Sequence, residues 1–213
     1  ATMGLGGVRK LEVELGESAM VIGLGLLGMF AVESLSLSGA YPLIAVDFDE
    51  ERRKKALELG ADYALDPRDD GFVEKVKELT CGKGVNATVE VTGSSKAMET
   101  ALECASWMGR VSLLGCTRVS DQPIDYYRLV HRPGVKLIGA HNFVRPKFES
   151  YPHHWTHQDD CKAVLKLLAA GRFRIAPIIS ETHTPEDAPC VYARLAKKEL
   201  PLGVVFDWRE IRE

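Results

Sequence analysis

The chain has 213 residues, enough for one large domain or for one domain and part of another. Its 27 basic and 30 acidic residues give a net charge of −3, so there is no basic excess to suggest a nucleic-acid partner. No apolar run reaches the roughly eighteen residues of a membrane span, and no signal-peptide pattern opens the chain. Cys81, Cys104, Cys116, Cys161 and Cys190 are scattered without a C-x-x-C pair. They read as reduced thiols of a cytoplasmic protein rather than as zinc-binding pairs.

In chain order, residues 1–18 read as a helix end and a loop, with Leu5, Val8 and Leu11 at helical spacing before Gly16. An apolar run at 19–23 predicts a first strand, and the periodic segment after it predicts a helix stopping at Gly39. A second strand is expected at 43–47 and a charged amphipathic helix from Asp49 to Leu59, with acids early and cations late, as the helix dipole favours. A short strand at 62–65 and a helix from Asp69 to Thr80 come next. Then come a strand at 87–91, a helix capped by Ser94 or Ser95 and running to Ala105, and a strand at 110–114. A helix near 125–131 and a sixth strand at 135–140 complete the alternation.

Six alternations of strand and helix predict an α/β fold, a doubly wound parallel sheet in the order 3-2-1-4-5-6. The texture changes after Ala140. A helix at about 158–170 stops at Gly171, a strand is expected at 177–182, Thr184-Pro185-Glu186-Asp187 starts a helix, and Leu202 to Phe206 reads as a last strand. The expected organisation is a connecting segment at 1–18, a nucleotide-binding domain at 19–171 and a distinct C-terminal segment at 172–213.

The strongest motif is Gly23-Leu24-Gly25-Leu26-Leu27-Gly28, which lies between the first strand and its helix. In a G-x-G-x-x-G turn the first glycine allows the reversal and the second admits a pyrophosphate to the backbone. The third lets helix and strand pack closely, and the helix N-terminus offers free N–H groups to an anion. Asp47, nineteen residues beyond Gly28, ends the second strand, where a carboxylate can accept from a ribose diol. No base follows it closely in sequence to neutralise a 2′-phosphate, so NAD is expected over NADP. Arg52 could cover the adenine face by a cation–π contact or be a solvated helix charge. Thr92-Gly93 and Leu114-Gly115-Cys116 also fall at strand C-termini and complete the rim of one site. Cys116 has no identifiable base to make it a nucleophile. His153, His154 and His157, beside Asp159, Asp160 and Cys161, raise a metal site, although a polar loop suits them better.

The glycine turn with Asp47, Ala56-Leu57-Glu58-Leu59-Gly60-Ala61-Asp62, Glu90-Val91-Thr92-Gly93 and the run from Gly109 to Gly115 together resemble the medium-chain dehydrogenase/reductases. The zinc-dependent alcohol, sorbitol and threonine dehydrogenases are nearest, and the likeness spans about residues 1–208. The resemblance implies that this chain is the C-terminal, cofactor-binding part of such an enzyme. The zinc ligands would then belong to an N-terminal GroES-like domain, and residues 172–213 would return to that domain. It also implies roles for single residues: Asp47 as the ribose acid, Arg52 beside adenine, and Leu26 and Leu27 holding the pyrophosphate. Thr92, Leu114, Gly115 and Cys116 would contact the nicotinamide, with Ala140 and Asn142 after strand six.

The expected function is hydride transfer between NAD and an alcohol or polyol, with zinc held outside this chain. These residues alone would bind NAD without turnover. The expected partners are a small-molecule alcohol and a second copy, paired in a homodimer through the edge strand at 135–140, with no nucleic acid and no membrane. A stand-alone nucleotide-sensing module and an S-adenosylmethionine-dependent methyltransferase are the alternatives.

Overall fold

The computed structural model describes residues 1–116, 123–197 and 201–209. Two units divide the chain, Ala1–Phe173 and Arg174–Glu213.

The first unit is built on a six-stranded parallel sheet. Its strands are β1 (Ala19–Ile22), β2 (Leu43–Val46), β3 (Tyr63–Leu65), β4 (Val85–Glu90), β5 (Ala105–Leu113) and β6 (Lys136–Gly139). Their order is β3-β2-β1-β4-β5-β6, the doubly wound α/β arrangement that the alternation predicts. Every residue of β1 and β2 is buried, as continuous apolar runs in a sheet covered on both faces require. The register pairs Ala19 with Leu43 on one side and with Ala87 on the other, so β1 is the central strand where the winding reverses.

Helices α1 (Thr2–Arg9), α2 (Leu26–Leu37), α3 (Glu50–Glu58), α4 (Phe72–Leu79), α5 (Ser95–Cys104) and α6 (His157–Ala169) cover the sheet. One core packs Met20, Ile22, Ile44 and Val46 from the strands against Phe72, Val76, Ala101 and Leu102. Helix α2 buries a run from Gly28 to Leu35, so it is a core helix rather than an amphipathic one.

Several boundaries differ from the sequence expectation. Strand β5 begins at Ala105 rather than 110, because a register shift between Val85 and Ala87 makes room for an extra stretch carrying Trp107 and Met108. Helix α4 begins at Phe72, not Asp69, after Gly71 takes a left-handed conformation. Residues Tyr127–His131 form one π-helical turn. Ser94 precedes α5 but makes no side-chain cap; its own N–H donates to Thr92 Oγ1 instead, at 3.0 Å.

In the second unit the expected strand at 177–182 is corrected. Residues Ala176–Ile178 form a 3-10 turn, where Pro177 has no N–H to give a ladder, and β7 is only Glu181–His183. It pairs in parallel with β8 (Val204–Phe206). Helix α7 (Ala188–Ala196) follows a 3-10 turn whose Thr184 and Asp187 form a reciprocal capping box. Glu181 joins the elements, bonding to Arg194 and accepting from His183 Nε2 at 2.7 Å. No helix among the described residues is long and apolar enough to cross a membrane.

Candidate nucleotide site at the strand C-termini

The turn between β1 and α2 is drawn tight. A Cβ at Gly28 would stand 1.9 Å from the Gly23 carbonyl oxygen, so no other residue fits there without moving the strand end. A Cβ at Gly25, by contrast, would meet nothing within 4 Å among the described residues, so the backbone of the turn borders open space. Gly25 is also the residue before the first turn of α2, and no side chain caps that helix. Leu26 is exposed and Leu27 half-buried at the same place, leaving the first N–H groups of the helix for an anion.

Asp47 lies against this turn. Its Oδ2 accepts from Leu24 N–H at 2.7 Å, and its Oδ1 accepts from Asp49 N–H at 2.9 Å. A carboxylate has about four acceptor positions, so two remain for hydroxyl donors. Asp49 caps α3 by accepting from Arg52 N–H at 3.0 Å, which fixes Arg52 half-exposed on the first turn of that helix.

Two bases also come close to Asp47, one from the helix that follows it and one from beyond β3. Arg53 donates to the Asp47 carbonyl at 2.7 Å, and Arg68 sits over the Phe48 ring at 5.1 Å. Both are engaged by Asp66, Arg53 at 3.0 Å and Arg68 at 2.5 Å. The Arg68 guanidinium holds the Asp66 carboxyl well below the usual carboxylate range, so this acid stays ionised and engages both arginines while offsetting one of their two charges.

Across the reversal point, Glu90 ends β4 with no exposed surface. Its Oε1 accepts from Thr92 N–H at 2.7 Å and from Gly93 N–H at 3.0 Å, and Thr92 Oγ1 bonds to it as well. Its carbonyl accepts from Leu114 N–H at 2.9 Å and Gly115 N–H at 2.8 Å. One residue thus clamps the two loops at 92–93 and 114–116. The loops touch directly: a Cβ at Gly115 would lie 2.2 Å from the Gly93 nitrogen, and one at Gly93 would lie 2.9 Å from Cys116 backbone. Burial pushes the Glu90 carboxyl up, opposed by the bonds from Thr92 and Gly93. Sequence reasoning quoted Glu90 only within the family-like run, because an acid closing a buried strand gives no signal of its own until its partners are seen.

Cys116 is an exposed free thiol. Ala140 is buried at the end of β6, its N–H donating to Leu113 O at 3.2 Å. Asn142 follows, with its carbonyl accepting from Arg145 Nε at 2.9 Å and its buried Oδ1 facing no donor among the described residues. Gly23–Gly28, Asp47, Thr92, Leu114–Cys116 and Ala140 therefore all lie at the C-terminal ends of neighbouring parallel strands, with Asn142 two residues further on.

Among the described residues no group of three or more His, Cys, Asp or Glu could hold a metal ion. His154 instead pairs its backbone with Tyr151 and packs its ring against the tyrosine at 4.8 Å.

A parallel sheet in this order, with a tight glycine turn at the central strand, defines a Rossmann-type domain. The chain belongs to the zinc-binding dehydrogenases, the medium-chain dehydrogenase/reductases, and is the cofactor-binding part of that family. The profile described as zinc-binding dehydrogenase matches residues 27–169. The L-threonine 3-dehydrogenase of Pyrococcus furiosus is 33% identical over 170 residues, 79% of this chain and 44% of that protein. The D-guloside 3-dehydrogenase of Escherichia coli is 25% identical over 210 residues, 97% of this chain and 59% of that protein. The solved structure of the alcohol dehydrogenase TADH from Thermus sp. ATN1 superposes with a TM-score of 0.77 at 27% identity, covering 95% of this chain and 54% of that one. The chain thus spans about half the length of these relatives.

Proposed function

We propose that this chain binds NAD and is the cofactor-holding part of a zinc-dependent dehydrogenase acting on an alcohol, polyol or amino alcohol in the cytoplasm. The observation that carries the reading is the hydrogen bond from Leu24 N–H to Asp47 Oδ2 at 2.7 Å, which sets the acid of β2 against the glycine turn of β1. In this reading bound NAD supplies the hydride acceptor. The α2 N-terminus, with Leu26 and Leu27, takes the pyrophosphate, and the free acceptor positions of Asp47 take the adenosine ribose hydroxyls. Arg52 lies beside adenine. Thr92, Leu114, Gly115, Cys116, Ala140 and Asn142 line the nicotinamide end, held in register by Glu90. Zinc belongs to a catalytic domain outside these residues, to which 172–213 return, and residues 1–18 connect that domain to the nucleotide-binding part at 19–171. The 213 residues alone are expected to bind NAD without oxidising an alcohol.

Preference for NAD over NADP follows from charge. Asp47 repels a 2′-phosphate, and Asp66 occupies the two arginines that could otherwise neutralise one. Calorimetric titration with both nucleotides is expected to give at least about tenfold tighter NAD binding, a difference of about 1.4 kcal/mol. Asp47→Asn keeps an acceptor for Leu24 but removes the charge, so it is expected to narrow the gap. Equal affinity of the wild type for both nucleotides refutes the charge argument, and binding of neither refutes the function.

A further inference from the structure

Asp66 directly follows β3, as Asp47 directly follows β2. The register pairs Val46 with Leu65, and Asp47 N–H donates to Leu65 O at 3.3 Å, so the two acids follow paired residues of neighbouring strands. Asp66 Oδ1 accepts from Arg68 N–H at 3.0 Å and from Arg68 Nε at 2.9 Å. Its Oδ2 accepts from Arg68 Nη2 at 2.5 Å and from Arg53 Nη1 at 3.0 Å. Both oxygens are thus spent on the two arginines. Asp160 makes a similar double pair, with Arg9 Nε at 2.6 Å and Arg145 Nη1 at 3.1 Å, but that one ties α1 to α6. Asp66 differs in standing beside Asp47 at the strand C-termini.

Each arginine is also tied to the backbone next to the Asp47 carboxylate. Arg53 donates to the Asp47 carbonyl, and Arg68 Nη2 donates to the Phe48 carbonyl at 3.0 Å. A guanidinium edge, with its paired N–H donors in one plane, is the side-chain group best matched to a phosphate. Here the Nε–Nη2 edge of Arg68 is turned onto Asp66 and is closed to any other anion. The charges balance as well: Asp66 offsets one arginine, and Asp47 the other.

We propose that Arg53 and Arg68 are a latent phosphate-binding pair and that Asp66, by holding them, is a specificity-determining residue that excludes a 2′-phosphorylated nucleotide. The proposal rests on the nucleotide reading above and adds to it a determinant on β3, outside the β2 acid. Asp66→Asn is the sharpest probe. Its amide oxygen still accepts from Arg68 N–H, which keeps the local turn. Its amide nitrogen is a donor and can accept from neither Arg53 Nη1 nor Arg68 Nη2. Both guanidiniums are then released beside the ribose, with one net positive charge.

Calorimetric titration with NADP and NAD tests this. Asp66→Asn is expected to tighten NADP about tenfold, as one new hydrogen bond to a charged group does, and to leave NAD within about twofold. Adding Arg68→Gln to that variant is expected to cancel most of the gain. Glu78→Gln removes an equal charge from the last turn of α4, at the opposite end of the sheet, and should change neither affinity. Asp66→Ser, which also keeps an acceptor for Arg68 N–H, gives the same readout if the asparagine variant does not fold. The proposal is overturned if folded Asp66→Asn or Asp66→Ser binds NADP no better than wild type, if Glu78→Gln gives the same gain, or if the gain survives loss of both arginines. Wild-type binding of NAD alongside any of these results leaves the nucleotide reading standing, whereas wild-type binding of neither nucleotide overturns both.

Discussion

Glu90 shows how a single side chain can couple protonation to the shape of a site. The ionised carboxylate accepts from Thr92 and Gly93, yet burial raises its pKa above the usual range. The folded state therefore holds this proton more tightly than the unfolded chain does. Stability from Glu90 is complete below the unfolded value near 4.5 and is lost as pH rises through the higher folded value. Glu90→Gln cannot ionise, so the difference in Tm, wild type minus variant, is expected to fall as pH rises across that window. Calorimetric melts at several pH values check this, and parallel curves refute it. The place of Asp47 at the end of β2 was legible from sequence because it closes an apolar run. Glu90 and the Arg53–Asp66–Arg68 group were not, because their meaning lies in partners that only the fold brings near.

At the scale of elements, α1 and α6 are tied through Asp160. This ion pair differs in kind from the exposed Lys54 pairs with Glu50 and Glu51 on α3, which water screens and which are expected to add nothing measurable. Asp160→Asn would leave two half-buried guanidiniums without their carboxylate. It is expected to destabilise the first unit by about 3 kcal/mol, read as a lower urea midpoint. A midpoint unchanged from wild type would show that solvent already screens the pair. The elements themselves were readable from alternating apolar runs and glycine stops. Sequence reading failed where local backbone chemistry overrides pattern: at the bulge carrying Trp107 and Met108, at left-handed Gly71, and at Pro177.

At the scale of the whole molecule, the sheet order followed from the alternation and the handedness of its crossovers. That order leaves β6 at one edge, and we propose that a second copy of the chain pairs with it in a homodimer. Ala140 N–H points to β5. Alternation along the strand therefore turns the N–H groups of Leu137 and Gly139 outward. Gly139 is exposed, and a side chain there meets nothing within 4 Å among the described residues. Gly139→Pro removes one outward donor while sparing the β5 ladder, and it is expected to shift a dimer toward monomer in light scattering. A wild-type monomer, or a dimer indifferent to this proline, refutes edge pairing.

The central place of β1 also sets an order of events. Its pairing with β2 joins Ala19 to Leu43, whereas its pairing with β4 joins Ala19 to Ala87 and closes a far longer stretch of chain. The longer closure costs about 1 kcal/mol more in chain entropy. The β1–α2–β2 segment is therefore expected to assemble first and to template the rest. Pulse-labelled hydrogen exchange during refolding would show amides of Met20–Ile22 and Ile44–Val46 protected before those of Val111–Leu113. The glycine turn would then exist before the far wall of its own cleft does, so anion recognition would be among the earliest properties the growing structure acquires.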